Sequence, residues 1–345
     1  MIKDIRSQPE RLKLLLSKYI KDEKAKKSLK NAVHLLENTQ KPIIFAGMGS
    51  SNYAAISAIN ILSEKGYLCM RPDIDEFIHY QMNSLTSDYT IIAISQSGKS
   101  IETKKFVAKT YKDNNIISVT NDEESPIAQM SDFVLPIFAG EEATISTKTF
   151  TNSNFILNIL AFLVNNQEYN LNNLEQELDL LEQIIEEEEE FIDKIYKHIK
   201  DRDKWTFISR GDLLSAVYTG TLICEEGTGL QPVCFSAGSF RHGPLEITGN
   251  DHGAVIMAKD DNTFNLIIKL AEEMADNESN IILITDKYYD NENENILVHV
   301  LPQIDRLLQV TEFSIPMQLL TRKTAIAQGR TPGVLNKISK VTKKE

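Results

Sequence analysis

From Pro42 onward, short apolar runs alternate with glycine-bearing turns and stretches of helical spacing. Ile43-Ile44-Phe45-Ala46 leads into Gly47-Met48-Gly49-Ser50-Ser51, and 53–62 then repeats its apolar positions with a helical period, giving strand, loop and helix. Further apolar runs at 67–70, 91–95, 116–120 and 133–138 are separated by segments long enough for helices. That spacing predicts a parallel sheet built from βαβ units. After a helical stretch at 153–164 the pattern restarts. Thr206-Phe207-Ile208-Ser209 enters Arg210-Gly211-Asp212, and runs follow at 233–235, 254–258, 281–285 and 296–300. The turns at Gly49 and Gly211 therefore mark a duplicated α/β unit, with one parallel sheet in each half.

Between the halves, Leu174, Leu178, Leu181, Ile184, Ile185, Ile192, Ile195 and Ile199 recur mostly at three- and four-residue steps, which predicts one long amphipathic helix. Its run Glu186–Glu190 reads as a solvated helix face, because divalent-cation loops place turn residues between their carboxylates. The expected organisation is a helical segment at 1–28, a sheet domain at 29–170, a linking helix at 171–200, a second sheet domain at 201–329 and a tail at 330–345.

Composition supports two folded domains. The 345 residues exceed what one hydrophobic core sustains, and 42% are hydrophobic. The balance of 37 basic against 49 acidic residues, a net charge of −12 without a basic stripe, argues against a nucleic-acid partner. Cys69, Cys224 and Cys234 form no CxxC pair, which fits a reducing compartment. Charges at Lys3, Asp4, Arg6, Glu10, Arg11 and Lys13 interrupt any signal-peptide core, and the apolar stretch 155–164 is too short to span a membrane. A cytoplasmic protein without a membrane partner is expected.

Candidate chemistry gathers in two serine loops that follow strands, Gly49-Ser50-Ser51 and Ser95-Gln96-Ser97-Gly98-Lys99-Ser100. A loop leaving the carboxyl end of a strand and entering a helix presents free backbone N–H groups to an anion, and hydroxyls add neutral donors. Neither loop is a P-loop, and Asn52 stands where a dinucleotide fingerprint needs its third glycine, so one phosphate, as on a sugar, suits the pair better. Ser146-Thr147-Lys148-Thr149 either lines the same pocket or caps the next helix; for that segment alone capping is the stronger reading. The six histidines show no HxH or HxxxH pairing, so neither a metal nor another cofactor is implied.

These loops, together with Phe240-Arg241-His242-Gly243-Pro244-Leu245-Glu246 and Ser339-Lys340-Val341-Thr342, resemble the sugar isomerase (SIS) domain family. Their order is similar to that in the double-SIS isomerase half of glucosamine-6-phosphate synthase and in the 6-phosphofructosamine deglycases and deaminases. The resemblance implies two tandem flavodoxin-like αβα domains. It implies that Gly49, Ser50, Ser51, Ser95, Gln96, Ser97, Ser100, Ser146 and Thr147 hold the phosphosugar. It puts the proton-shuttling glutamate at Glu226 and the ring-opening histidine at His242. That histidine comes from the neighbouring subunit in relatives, so the partner expected is a second copy in a homodimer. A lysine carried over the site by the tail falls on Lys340, although the usual Pro-Arg-Gly-Leu before it is here Leu335-Asn336-Lys337-Ile338.

Glutamate and histidine also make sense for the chemistry itself. Moving a proton between C1 and C2 of a phosphosugar needs a carboxylate near a carbonyl, and an imidazole can trade protons with the ring oxygen. Two departures bear on the reaction. The sequence starts where the synthase's isomerase half starts, so glutamine hydrolysis is not expected, and Ile223 replaces the lysine of a Schiff-base route. Aldose–ketose isomerisation and amine release by a deglycase or deaminase both remain open. The 240–247 stretch looks closer to the deglycases, and Ser95-Gln96-Ser97-Gly98 closer to the synthase. A non-catalytic phosphosugar sensor is the third reading; sensors of this family carry a helix-turn-helix before a single SIS domain, and no clustered basic helix precedes the first strand here.

Overall fold

The computed structural model describes residues 1–85, 89–142, 145–164, 166, 170–335 and 337. The chain divides into two compact units, one built on Ser7–Leu178 and the other on Met1–Arg6 with Asp179–Val334. Among the described residues no helix is long and apolar enough to cross a membrane.

The first unit carries strands β1 (Ile43–Ala46), β2 (Cys69–Met70), β3 (Thr90–Ile94), β4 (Asn115–Thr120) and β5 (Phe133–Pro136). They form one sheet in the order β2-β1-β3-β4-β5, and every pairing is parallel. β1 and β3 are buried along their whole length, because helices cover both faces of the sheet, and this is why they read as unbroken apolar runs. Ile44, Ala46, Ile91, Ala93, Ile116, Phe77 and Phe106 share one core cluster. Three N-terminal helices, Ile2–Arg6, Gln8–Lys21 and Glu23–Glu37, precede the sheet, and the third runs past residue 28.

The second unit repeats the plan with β6 (Lys204–Ser209), β7 (Val233–Ser236), β8 (His252–Ala258), β9 (Asn280–Thr285) and β10 (Ile296–Val300). Their order is β10-β9-β8-β6-β7, again all parallel. Counted from β6 as the first strand, this is the same 2-1-3-4-5 order as in the first unit. The fold is therefore two tandem doubly wound αβα units, as the paired glycine turns predict.

Three local expectations change. The helix expected over 53–62 is two pieces, Ser50–Tyr53 and Ile56–Ser63. The Asn154 amide takes the Ala54 carbonyl at 2.8 Å and diverts it from a helical partner. The fifth strand stops at Pro136 rather than reaching 138, because Phe138 turns the chain with a positive φ of 49°. The acidic run in the helix Glu175–Ile199 is not wholly solvated. Glu188 is 2% exposed and bonds His299 of β10, whose ring stacks on Phe191 at 4.1 Å, while Glu189 accepts two bonds from Arg6 at 2.7 and 2.6 Å. These acids fasten the helix to its own unit.

Candidate functional site

In the first sheet the chain leaves β1 toward β2 on one side and returns to β3 on the other. The crevice at the carboxyl ends of β1 and β3 is thus the topological switch point, where open α/β sheets hold their ligands. Both serine loops emerge there. Ala46, the last residue of β1, lies opposite Ala93, the last but one of β3, so the strands end within one residue of each other and the loops start side by side. A Cβ on Gly47 would lie 3.1 Å from the Ile94 carbonyl oxygen and 3.1 Å from the Ser51 carbonyl carbon, so a side chain there would wedge the loops apart.

The backbone of each loop is fixed by a glycine. Gly49 adopts φ 51° and ψ −129°, a combination L-residues avoid, and starts the short helix Ser50–Tyr53. Gly98 has φ 61°, and a Cβ there would fall 2.0 Å from Ser125 Oγ and 2.2 Å from Ser125 Cβ. The second loop is also pinned from beneath. The Ser95 amide donates to the Val119 carbonyl at 3.0 Å and the Gly98 amide to the Ser95 carbonyl at 3.1 Å, while the Gln96 carbonyl accepts from the Asn121 amide at 2.9 Å. Loops held in this way need little reorganisation to present their donors.

Hydroxyls cluster in the second loop. Ser95 Oγ and Ser100 Oγ lie 3.2 Å apart, and Ser97 Oγ accepts from the Lys99 amide at 3.2 Å. Ser100 occupies the cap position of the helix Ile101–Thr110 but makes no capping bond, and its hydroxyl faces Ser95 instead. The first amide bonded within that helix is that of Lys104, which donates to the Ser100 carbonyl at 2.9 Å, so the first-turn N–H groups have no intrahelical acceptor. Lys99 is engaged by Asp122 at 2.9 Å.

Ser146 and Thr147 are arranged differently. The Thr147 amide and hydroxyl donate to Glu142 Oε1 at 2.8 and 2.9 Å, and the Thr149 amide donates to the same oxygen at 3.2 Å. Ser146 Oγ lies 3.0 Å from Thr149 Oγ1. A buried carboxylate of the chain itself thus takes the donors at the start of the helix Lys148–Leu163, and Thr147, fully buried, spends its hydroxyl there.

Glu226 and His242 belong to the second unit. Glu226 is half-buried in the last turn of the helix Leu214–Thr228, which ends at left-handed Gly229. His242 is exposed in a turn where its amide donates to the Ser239 carbonyl at 3.1 Å and Gly243 has a φ of 120°. Two residues earlier, fully buried Phe240 anchors that turn by stacking on His252, with ring centroids 6.4 Å apart. His252 is itself buried, 2.8 Å from Thr206 Oγ1 and 3.0 Å from Ser279 Oγ, and burial holds its pKa down at about 4. Lys340 lies outside the described residues.

Two residues beside the cradle were not singled out by the sequence. Buried Asn52 donates from Nδ2 to the Gly47 carbonyl at 3.2 Å and the Pro72 carbonyl at 3.3 Å, and its Oδ1 accepts from Arg71. An arginine directly after β2, at the carboxyl end of the strand next to β1, is the signal that would have found the pair.

Comparison with known proteins agrees with this geometry. Residues 36–163 match the SIS domain. The isomerizing glutamine–fructose-6-phosphate aminotransferase of Bradyrhizobium diazoefficiens is 28% identical over 343 residues, covering 95% of this chain and 56% of that protein. The chain spans about half the length of the curated relatives it matches. The C-terminal domain of glucosamine-fructose-6-phosphate aminotransferase from Francisella tularensis superimposes with a TM-score of 0.83 at 22% identity, covering 97% of this chain and 98% of that one. Tagatose-6-phosphate ketose/aldose isomerase from Escherichia coli gives 0.82 at 20% identity, covering 98% and 95%. Glucosamine-6-phosphate deaminase from Thermotoga maritima gives 0.73 at 19% identity, covering 96% and 99%. The resemblance carried by the serine loops is borne out, and the solved structures share the fold.

Proposed function

We propose that this chain, which carries an SIS domain over residues 36–163, is an enzyme of the phosphosugar isomerase kind acting on a sugar 6-phosphate or an amino-sugar 6-phosphate. The observation that carries the reading is the pair of glycine-fixed serine loops side by side at the switch point of the first sheet. Hydroxyls of Ser50, Ser51, Ser95, Ser97 and Ser100, with backbone amides of the Gly49 and Gln96 turns, suit the three oxygens of a phosphate monoester.

In the proposed reaction His242 opens the sugar ring by exchanging a proton with the ring oxygen. It is supplied by a second copy of the chain in a homodimer. The Glu226 carboxylate takes the proton from C2 of the aldose and returns it to C1 through an enediol, or through an enolamine where C2 bears nitrogen. Lys340 assists at the sugar. No step uses a cofactor.

The test is to incubate the protein with fructose 6-phosphate, glucosamine 6-phosphate and a 6-phosphofructosyl amino acid, following aldose–ketose exchange and free amine. Exchange is expected, falling by about 10² to 10⁴ in Glu226→Gln with sugar-phosphate binding retained. Amine release lost in the same variant would make the enzyme a deglycase or deaminase. Binding with no turnover of any substrate would replace the enzyme with a sensor.

A further inference from the structure

The two serine loops carry a single charged residue, Lys99, which stands between Gly98 and Ser100 in the second of them. Its Nζ donates to Asp122 Oδ2 at 2.9 Å, in the loop that follows β4. We propose that this ion pair is exchanged when the site fills: the phosphate takes Lys99 from Asp122, and Asp122 thereby sets how much negative charge a ligand must bring. The proposal rests on the phosphosugar reading above.

The pair has one fixed end and one mobile end. Asp122 Oδ1 accepts from the Glu124 amide at 3.0 Å, and the Asp122 amide donates to Thr120 Oγ1 at 3.3 Å. Next to it, the Asn121 amide donates to the Gln96 carbonyl at 2.9 Å, so the carboxylate stays where the two loops hold it. The Lys99 side chain is 57% exposed, a compact charge on a flexible four-carbon stem, while its backbone amide is tied to Ser97 Oγ at 3.2 Å. Moving the ammonium therefore takes rotations of one side chain and leaves the loop as it is. The Asp122 side chain is 38% exposed, and ion pairs this open to water are weak.

A phosphate monoester is the stronger competitor for the lysine. Asp122 offers one negative charge, whereas the phosphate carries nearly two near neutral pH and three acceptor oxygens. Lys99 directly precedes Ser100, whose hydroxyl lies 3.2 Å from Ser95 Oγ, so a phosphate held by these hydroxyls is met by the lysine of the same loop. Its amide also occupies an acceptor site of Ser97 Oγ and leaves that hydroxyl's proton for the ligand. Asp122 stays ionised throughout, because the bonds from Lys99 and from the Glu124 amide lower its pKa. It recaptures Lys99 when the ligand leaves, and a neutral sugar does not displace it.

The experiment measures binding of fructose 6-phosphate at one ionic strength in the wild type, Lys99→Gln, Asp122→Asn and the double variant. Lys99→Gln is expected to weaken binding about tenfold, the loss of one bond to a charged phosphate. Asp122→Asn is expected to tighten it about threefold, because the lysine is no longer withheld. Added to Lys99→Gln, the same Asp122→Asn change should alter affinity by less than about 1.5-fold, since an exposed charge is well screened. Lys99→Arg retains most of the wild-type affinity and so separates loss of charge from loss of fold. An affinity lowered by Asp122→Asn would make the pair a brace for the loop. Tightening of equal size with and without Lys99 would make Asp122 a plain repulsive charge. Either result, or an Asp122→Asn variant that binds as the wild type does, would overturn the exchange and leave the site standing. A wild type that binds no sugar phosphate would remove the site reading and the inference together.

Discussion

The two sheets have the same strand order, and their switch points are furnished in opposite ways. In the first unit the loops after β1 and β3 are rich in serine, turned by Gly49 and Gly98, with the one lysine among them held by Asp122. In the second, the loop after β6 brings Asp212 and the loop after β8 brings Lys259, 3.0 Å apart, and Arg306 adds a bond to the same carboxylate at 2.9 Å. Asp212 is 4% exposed. The second crevice thus carries its own anion and cations, whereas the first presents donors that suit an anion from outside. Strand order creates a crevice, and side-chain chemistry decides whether a ligand or the protein occupies it.

The glycines at the two switch points give the largest expected difference. Gly98 and Gly211 have nearly the same φ, 61° and 58°. Yet a Cβ on Gly98 would lie 2.2 Å from Ser125 Cβ, while one on Gly211 meets nothing within 4 Å. Gly211→Ala should cost only the left-handed strain, about 1 kcal/mol. Gly98→Ala adds an overlap that no rotamer of Ser125 relieves, for about 4 kcal/mol in all. Denaturant unfolding of the two variants measures the gap, and equal losses would show that the second serine loop is not held as tightly as its contacts require.

Acid should separate the units next. His34 and His79 of the first unit are exposed, whereas His252 lies inside the second and has its pKa lowered from 6.5 to about 4 by burial. Above pH 6.5 it is neutral whether the chain is folded or unfolded. Between 6.5 and 4 only the unfolded chain takes up the proton, so stability is lost as pH falls through that window, by about 3 kcal/mol in total. The second unit is expected to unfold first on acidification, loosening the Phe240 stack beneath His242. His252→Gln should flatten that slope between pH 6.5 and 4; a slope unchanged in the variant would assign the acid sensitivity elsewhere.

Removing the internal anion probes the second crevice directly. Asp212→Ala leaves Lys259 and Arg306 without that carboxylate and should cost about 2 to 3 kcal/mol. Added sulfate or phosphate should recover part of the loss, seen as a rise in Tm absent from the wild type. A variant indifferent to these anions would show that the crevice is shaped for Asp212 and for nothing larger.

Much of this contrast was legible in the sequence, and the part that was not has a common cause. Strand runs, the two glycine turns and the serine loops are local patterns, and each appears where the spacing of residues puts it. What periodicity cannot carry is pairing across the chain. Asn52 with Arg71, Glu142 under Thr147, and Glu188 on His299 join residues 19, 5 and 111 positions apart, through contacts that exist only once the helices are packed. The break after Tyr53 has the same origin, since its cause is Asn154, a hundred residues on. The strand end at Pro136 was missed because Phe138 is a poor residue for a positive φ, and nothing in its type announces one.

Ser100 offers the finest test, because it separates stability from binding within one hydroxyl. A serine at a helix N-cap usually contributes about 1 kcal/mol through a bond to the first-turn amides. Ser100 makes no such bond and faces Ser95 Oγ at 3.2 Å. Ser100→Ala should therefore change unfolding free energy by less than about 0.5 kcal/mol. Its affinity for fructose 6-phosphate should nevertheless fall about fivefold to tenfold, the worth of one hydrogen bond to a charged phosphate. Ser236 in the second unit supplies the control, since its side chain does accept from the Ser239 amide at 3.2 Å. Ser236→Ala should cost close to the usual 1 kcal/mol and leave phosphate affinity unchanged. If instead Ser100→Ala costs as much stability as Ser236→Ala and binds as tightly as the wild type, the uncapped helix is only a structural variant and the cradle has one donor fewer.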